Sequence, residues 1–313
     1  MHLAEMDPAH RRLALGAMRA VAGADGDEDP RERELLEAAS ALLGVDAPAA
    51  LEPEALRAAA LPAEAAERVV QAAIFAAMMD GRVAPEEVAL VNAFAAAAGV
   101  DEPRVRNLAQ LAKGHTRLLW LDLARRSFAR DVFARALKAD GPAGIWKIVG
   151  PLLGAGRDPA LTERYVKLGE LPEDTLGHAY FRFLVDHDLA FPGEPHSVAE
   201  AGIWHDVTHV LGGYGVSPEE EVLVVSFIAG FSREDPFFWL FTITLQFHFA
   251  VQVSPYAKPK EGLVQPAKVL AAFERGRAVK ADLSAPGWDP WPLFPRPLAE
   301  VRGELGVPAR EGH

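Results

Sequence analysis

Six positions in the first hundred residues recur at a constant spacing of 55: Asp25-Gly26, Pro30, Glu32 and Gly44-Val45 return as Asp80-Gly81, Pro85, Glu87 and Gly99-Val100. The shared punctuation fixes what each unit can be. Asp-Gly supplies a turn with a positive φ. Proline is tolerated at the first helical position, and a first-turn glutamate meets the positive end of the helix dipole. The closing glycine is a helix stop. Each unit therefore reads as helix, Asp-Gly turn, helix, glycine stop. Two such hairpins predict a small pseudo-symmetric helical bundle over about residues 8–112.

The rest of the chain also reads as helix. Alanine, the best helix former, dominates the first hundred residues, and long alternating β-branched runs are absent. A boundary is expected near Lys113-Gly114, giving domains at 1–112 and 113–313. Beyond it the spacing predicts a helix over Thr116–Ala139 and a shorter apolar one after Gly141-Pro142. Helices follow at about Glu173–Asp188, Val198–Leu211, Pro218–Phe231, Pro236–Val253 and Pro266–Ala281, and a short one ends near Leu305. The fold class is all-α, with an irregular helical-bundle metal-binding domain after the N-terminal bundle. Phe237–Val253 is apolar enough to raise a membrane span. It is short for one and carries Gln246 and His248, so a buried core helix is the reading.

Composition removes several function classes. The net charge is −12 and cysteine is absent. A nucleic-acid partner needs a basic stripe, so none is expected. Any metal must be held by histidine and carboxylate. The start of the chain has no apolar signal region, which predicts a cytoplasmic protein. An apolar patch would allow peripheral contact with the inner face of the membrane.

The chemistry concentrates in Trp204-His205-Asp206-Val207-Thr208-His209. His205 and His209 stand one helical turn apart on one face, and Asp206 lies on its edge. Gly212-Gly213 stops that helix, and Ser217-Pro218 starts the next, whose first turn carries Glu221. A tight helix-loop-helix folds Glu221 back as a fourth ligand. Two histidines with carboxylates suit zinc, iron, manganese or cobalt. The plainer alternative is an exposed His-Asp-His helix with Glu221 as a first-turn charge. His178, Tyr180 and Arg182 share a preceding helix and are candidate catalytic residues. Arg182 would hold a substrate carboxylate, and His178 would support the ion from behind. A surface or internally satisfied role is the competing account for each. His248, among aromatics, reads as a satisfied core histidine.

Two family resemblances rest on these motifs. The paired Asp-Gly-x5-Glu units resemble the tellurite-resistance TerB-like domains. That resemblance implies a second divalent-ion site at Asp25, Glu32, Asp80 and Glu87, against the simpler reading of turn and cap residues. His205-Asp206-x-x-His209-x11-Glu221 resembles the metal motif of ubiquinone-biosynthesis proteins of the Coq-four type. Leu171-Pro172-x-x-Thr175-x-Gly177-x-Ala179-Tyr180 is similar to the stretch preceding that motif. Phe273-Glu274-Arg275-Gly276-Arg277 and Pro297-Leu298-x-x-Val301-Arg302-x-x-Leu305-Gly306 are similar to the family's end. The resemblance covers roughly residues 160–308. Glu220 stands where family members usually have glycine.

What the second resemblance implies is a metal held by His205, Asp206, His209 and Glu221, a cavity for a prenyl tail, and a part in ubiquinone assembly. The activity implied is a metal-dependent lyase of the decarboxylase or hydroxylase type, acting on a prenylated benzoate at ring carbon one. The partners implied are a prenylated quinone precursor or other prenyl lipid and other quinone-biosynthesis proteins; a homo-oligomer is open as well. The alternative function is a non-catalytic scaffold or prenyl-lipid-binding module with a structural ion. A His-Asp phosphohydrolase ranks last, since no matching set of additional ligands is spaced for it.

Overall fold

The computed structural model describes residues 2–26, 29–46, 48–126 and 128–310. Among them the chain is all-helical, with no β-strand beyond two isolated bridges. In order the helices are α1 (Pro8–Ala22), α2 (Pro30–Leu43), α3 (Pro53–Ala59), α4 (Ala63–Ala76), α5 (Pro85–Ala98), α6 (Pro103–Ala112), α7 (Thr116–Arg126) and α8 (Phe128–Asp140). They continue as α9 (Pro142–Leu152), α10 (Pro159–Val166), α11 (Leu176–Asp186), α12 (Ile203–Gly212), α13 (Pro218–Phe231), α14 (Pro236–His248), α15 (Pro266–Arg277) and α16 (Leu298–Leu305).

Two compact units form, and they do not follow chain order. The first comprises Met1–Asp122, Asp235–Val253 and Pro259–Ala271; the second comprises Leu123–Glu234, Ser254–Lys258 and Ala272–His313.

In the first unit the repeated punctuation acts locally as its residue types require. Asp29 and Ala84 precede α2 and α5, each followed by proline at the first helical position. Glu32 and Glu87 turn back to accept the Asp29 and Ala84 backbone N–H at 2.9 and 2.7 Å. Gly44 and Gly99 close these helices in the left-handed conformation, with φ of 61° and 67°. The C-terminal half of α4 is apolar all round, and every residue from Ala72 through the following turn to Met79 is fully buried. Its small alanines let α1 pack closely along it.

The segment after Asp235 is tied into this unit by named contacts. The Arg104 guanidinium donates to Glu102 and Asp235, each at 2.6 Å, and lies 5.0 Å over the Phe237 ring. Phe237 and Phe241 are fully buried, as a core helix requires. His248 is a satisfied core histidine: Nε2 donates to the Met79 carbonyl at 3.0 Å, and Nδ1 accepts the Val264 N–H at 3.3 Å.

The stretch from Thr116 to Ala139 is helical on both sides of position 127, which lies outside the described residues. Helices α12, α14 and α15 are shorter than the spacing suggests: α12 begins at Ile203, α15 ends at Arg277, and α14 stops early as well. Helix α14 ends at His248, not Val253. Its last carbonyls, on Gln246, Phe247 and His248, accept N–H groups from Lys260, Leu263 and Gly262 at 2.9–3.2 Å. A returning segment caps the helix end, so another turn gains nothing. No helix among the described residues is long and apolar enough to cross a membrane.

Glu32 and Glu87 are both 3 % exposed. Burial, reinforced by Asp80 and Asp25, outweighs the cap hydrogen bonds and lifts Glu32 to about 7 and Glu87 to about 8. A folded-state value above the unfolded one stabilises fully below the unfolded value and is lost as pH rises through the folded value. Unfolding free energy should therefore fall by several kcal/mol between pH 5 and pH 9, at about 1.4 kcal/mol for each unit by which a carboxyl is raised. Denaturant titrations across that range check this. Glu87→Gln, which keeps the cap acceptor but cannot ionise, should flatten the decline.

Candidate metal centre

Helix α12 brings its histidines to one face and stops where the next element must turn back. Gly213 takes φ 69°, and the Tyr214 N–H bonds the His209 carbonyl at 2.9 Å. Only a residue without a Cβ takes that conformation at no steric cost. Ser217 then caps α13 by accepting the Glu220 N–H at 3.3 Å, with Pro218 in the first helical position. Three consecutive glutamates, Glu219 to Glu221, occupy the first turn, where the helix dipole favours them.

This geometry brings His205, His209 and Glu221 together. Their donor atoms all lie within 4.8 Å of one another. His205 Nε2 and His209 Nε2 are 3.2 Å apart, and Glu221 carboxylate oxygens lie 3.5 Å and 3.3 Å from them. Ligands bound at about 2.0–2.1 Å around a tetrahedral ion stand roughly 3.3 Å apart. The three edges match that spacing. The tautomer is arranged as well. His209 Nδ1 faces the Gly215 carbonyl at 2.9 Å, which can only accept, so the ring proton sits on Nδ1 and Nε2 is left to bind. The Phe183 ring backs His209 at 5.4 Å.

Electrostatics agree with a cation site. Burial works to raise the Glu221 carboxyl, but hydrogen bonds and charge from His205 and His209 hold it well below the usual carboxylate range. Burial depresses His205, and Glu221 and Asp206 more than reverse this. Asp206 is 9 % exposed, and burial lifts its carboxyl against the pull of both histidines. Its carboxylate stands outside the tight trio but interacts electrostatically with all three members.

The preceding helix contributes unequally. Tyr180 is fully buried, and its hydroxyl has no hydrogen-bond partner among the described residues. Burial and the Asp206 charge push its phenol well above the ordinary value. His178 Nδ1 instead donates to the Leu171 carbonyl at 3.1 Å. Arg182 is exposed and paired with Asp186, a surface ion pair and not a hand reaching the trio. Tyr256, which sequence reasoning did not single out, also feels the Asp206 charge.

The flanking motifs meet around this centre. The Leu176 and Gly177 N–H groups donate to the carbonyls of Arg296 and Phe294, and Leu298 N–H donates to Asp174, at 2.8–2.9 Å. Tyr180 stacks on Phe294 at 5.7 Å. Arg302, on α16, donates to the Val210 and Leu211 carbonyls at 2.8 and 2.9 Å, satisfying the end of the histidine helix. Glu220 accepts the Gly215 N–H at 3.0 Å and a two-pronged pair from Arg310 at 2.6 and 2.8 Å. It thus pins the loop whose Gly215 carbonyl orients His209.

The second, carboxylate-only site is not assembled in the same way. Among the described residues, Asp25, Glu32, Asp80 and Glu87 do not form a tight ligand cluster. The glutamates are engaged as caps, and the Arg82 guanidinium lies 3.5 Å from Asp25 and 3.9 Å from Asp80.

Glu220→Ala should weaken the affinity of the trio for an added divalent transition-metal ion by roughly 10- to 100-fold, since a group that orients a ligating histidine has that scale of effect. Competition titration against a chromogenic chelator reads this directly. Comparison with known protein families and with curated proteins finds no match to the chain.

Proposed function

We propose that the chain is a metal-dependent protein of quinone assembly, holding one zinc, iron, manganese or cobalt ion through His205, His209 and Glu221, with Asp206 beside them. The observation that carries this is the convergence of two imidazole nitrogens and a carboxylate at ligand–ligand spacing, with the His209 proton directed away to Gly215. The resemblance to the Coq-four type supports the substrate class, a prenylated aromatic such as a prenylated benzoate, and decarboxylation or hydroxylation at ring carbon one.

A bound ion would polarise a carboxylate or phenolate oxygen and lower the barrier to its reaction. The chain's own residues supply the rest. Glu221 provides the anionic charge that fixes a cation, with the buried Asp206 carboxyl beside it. The buried Tyr180 hydroxyl is free to donate to an acceptor. The His205 side chain is 28 % and that of Glu221 21 % exposed, so a ligand can reach the trio from solvent, which favours a reactive over a closed site.

One observation supports the alternative of a scaffold with a structural ion. The Asp206 carboxylate is close enough to interact with all three ligands and would complete a four-ligand sphere by turning inward.

Elemental analysis of protein purified without added metal tests the reading. About one ion per chain is expected, and its loss in His205→Ala/His209→Ala. A wild type that stays metal-free after soaking with each of the four ions sinks it. Turnover of a prenylated hydroxybenzoate by the loaded protein separates the enzyme from the scaffold.

A further inference from the structure

Helices α8 and α9 carry a surface that the metal centre does not use. They pack as a hairpin, with Gly144 set against the Ala136 carbonyl so closely that a Cβ there would collide. Lys147 on α9 bonds Asp140 at the end of α8 at 2.6 Å. Large apolar groups on the hairpin nonetheless stand in solvent. Leu137 is 53 %, Trp146 52 % and Leu153 66 % exposed. Pro142, Trp146, Val149 and Leu153 follow the i, i+4, i+7, i+11 spacing of one helical face. A soluble surface seldom leaves a tryptophan and two leucines exposed together on one short hairpin.

Charge says what covers them. The chain as a whole has 44 acidic against 32 basic residues, yet positions 113–157 hold nine Lys or Arg and only three Asp. Arg135, Lys138 and Arg157 on the same short segment are exposed, as is Lys147 beside Asp140. Between Pro142 and Leu153 the one charge is Lys147. Exposed apolar residues led by tryptophan, on a segment rich in exposed basic ones, match the two layers of an anionic bilayer surface. At about 1.5 Å per residue α9 is roughly 17 Å long, too short to span and suited to lie in the interface.

We propose that the α8–α9 hairpin docks the protein on anionic lipid membrane, with Trp146, Leu137 and Leu153 entering the headgroup layer and the basic residues facing lipid phosphates. The remainder of the chain, strongly acidic, is repelled by the same surface. Contact is thereby restricted to this hairpin.

Flotation of the full-length protein with vesicles of phosphatidylcholine, with and without phosphatidylglycerol, tests this. Binding is expected to the anionic vesicles and to weaken several-fold as the Debye length falls from about 10 Å at 0.1 M salt to about 3 Å at 1 M. Trp146→Glu/Leu153→Glu should lower partitioning by roughly tenfold or more. Arg135→Ala/Lys138→Ala, which changes only exposed charges, should lower it by roughly 25-fold at low salt. Circular dichroism establishes that the variants remain helical. No binding by the wild type, equal binding to neutral vesicles, or unchanged binding by both folded variants would each overturn the proposal. So would self-association abolished by Trp146→Glu without any vesicle binding, which would assign the face to a second copy.

Discussion

A carboxylate held between two imidazoles at the junction of two helices is the constraint on which the second unit depends. Removing Glu221 from water costs several kcal/mol unless charge is returned to it, and His205 and His209 return it. They can do so only if α12 ends within one turn of His209 and α13 begins soon after. The Gly213 bend, the Ser217 cap and the Glu220–Arg310 pair all serve that reversal. Arg302 then closes the open carbonyls of α12 from the far end of the sequence. The candidate ligand trio and the fold around it therefore rest on the same few residues, and both depend on a short loop.

The local parts of this arrangement are legible in sequence because each rests on neighbouring residues. Gly212-Gly213, Ser217-Pro218 and the four-residue spacing of the histidines state where α12 stops, where α13 starts and which face carries nitrogen. The bounds of α13 and the end of α16 at Leu305 follow from caps and breakers alone. The role of Asp206 is less legible. Spacing puts it on the edge of the histidine face, but whether a carboxylate turns into a cluster or stands beside it depends on rotamer and packing.

What sequence does not convey is settled at long range. Nothing in the stretch from Phe249 to Val253 announces that residues 260–263 will cap α14 and end it at His248; that depends on a segment a dozen residues later. Arg182 looks as available as Tyr180 on the same helix, and only packing turns one to the surface and the other against Phe294. Glu220, where the resembling family usually has glycine, reads as a departure in sequence and as a loop anchor in three dimensions.

The interleaved path of the chain has a consequence for its synthesis. The backbone passes between the two units five times, at positions 122, 234, 253, 258 and 271. Domains emerging from a ribosome generally complete in order, the first before the second is made. Here the first unit lacks α14 and part of α15 until residue 271 has been translated, by which point most of the second unit has also emerged. The nascent amino-terminal helices must wait with the burial site for Phe237 and Phe241 unfilled. Neither unit is a contiguous stretch of the chain, so neither can be completed by translating one segment alone.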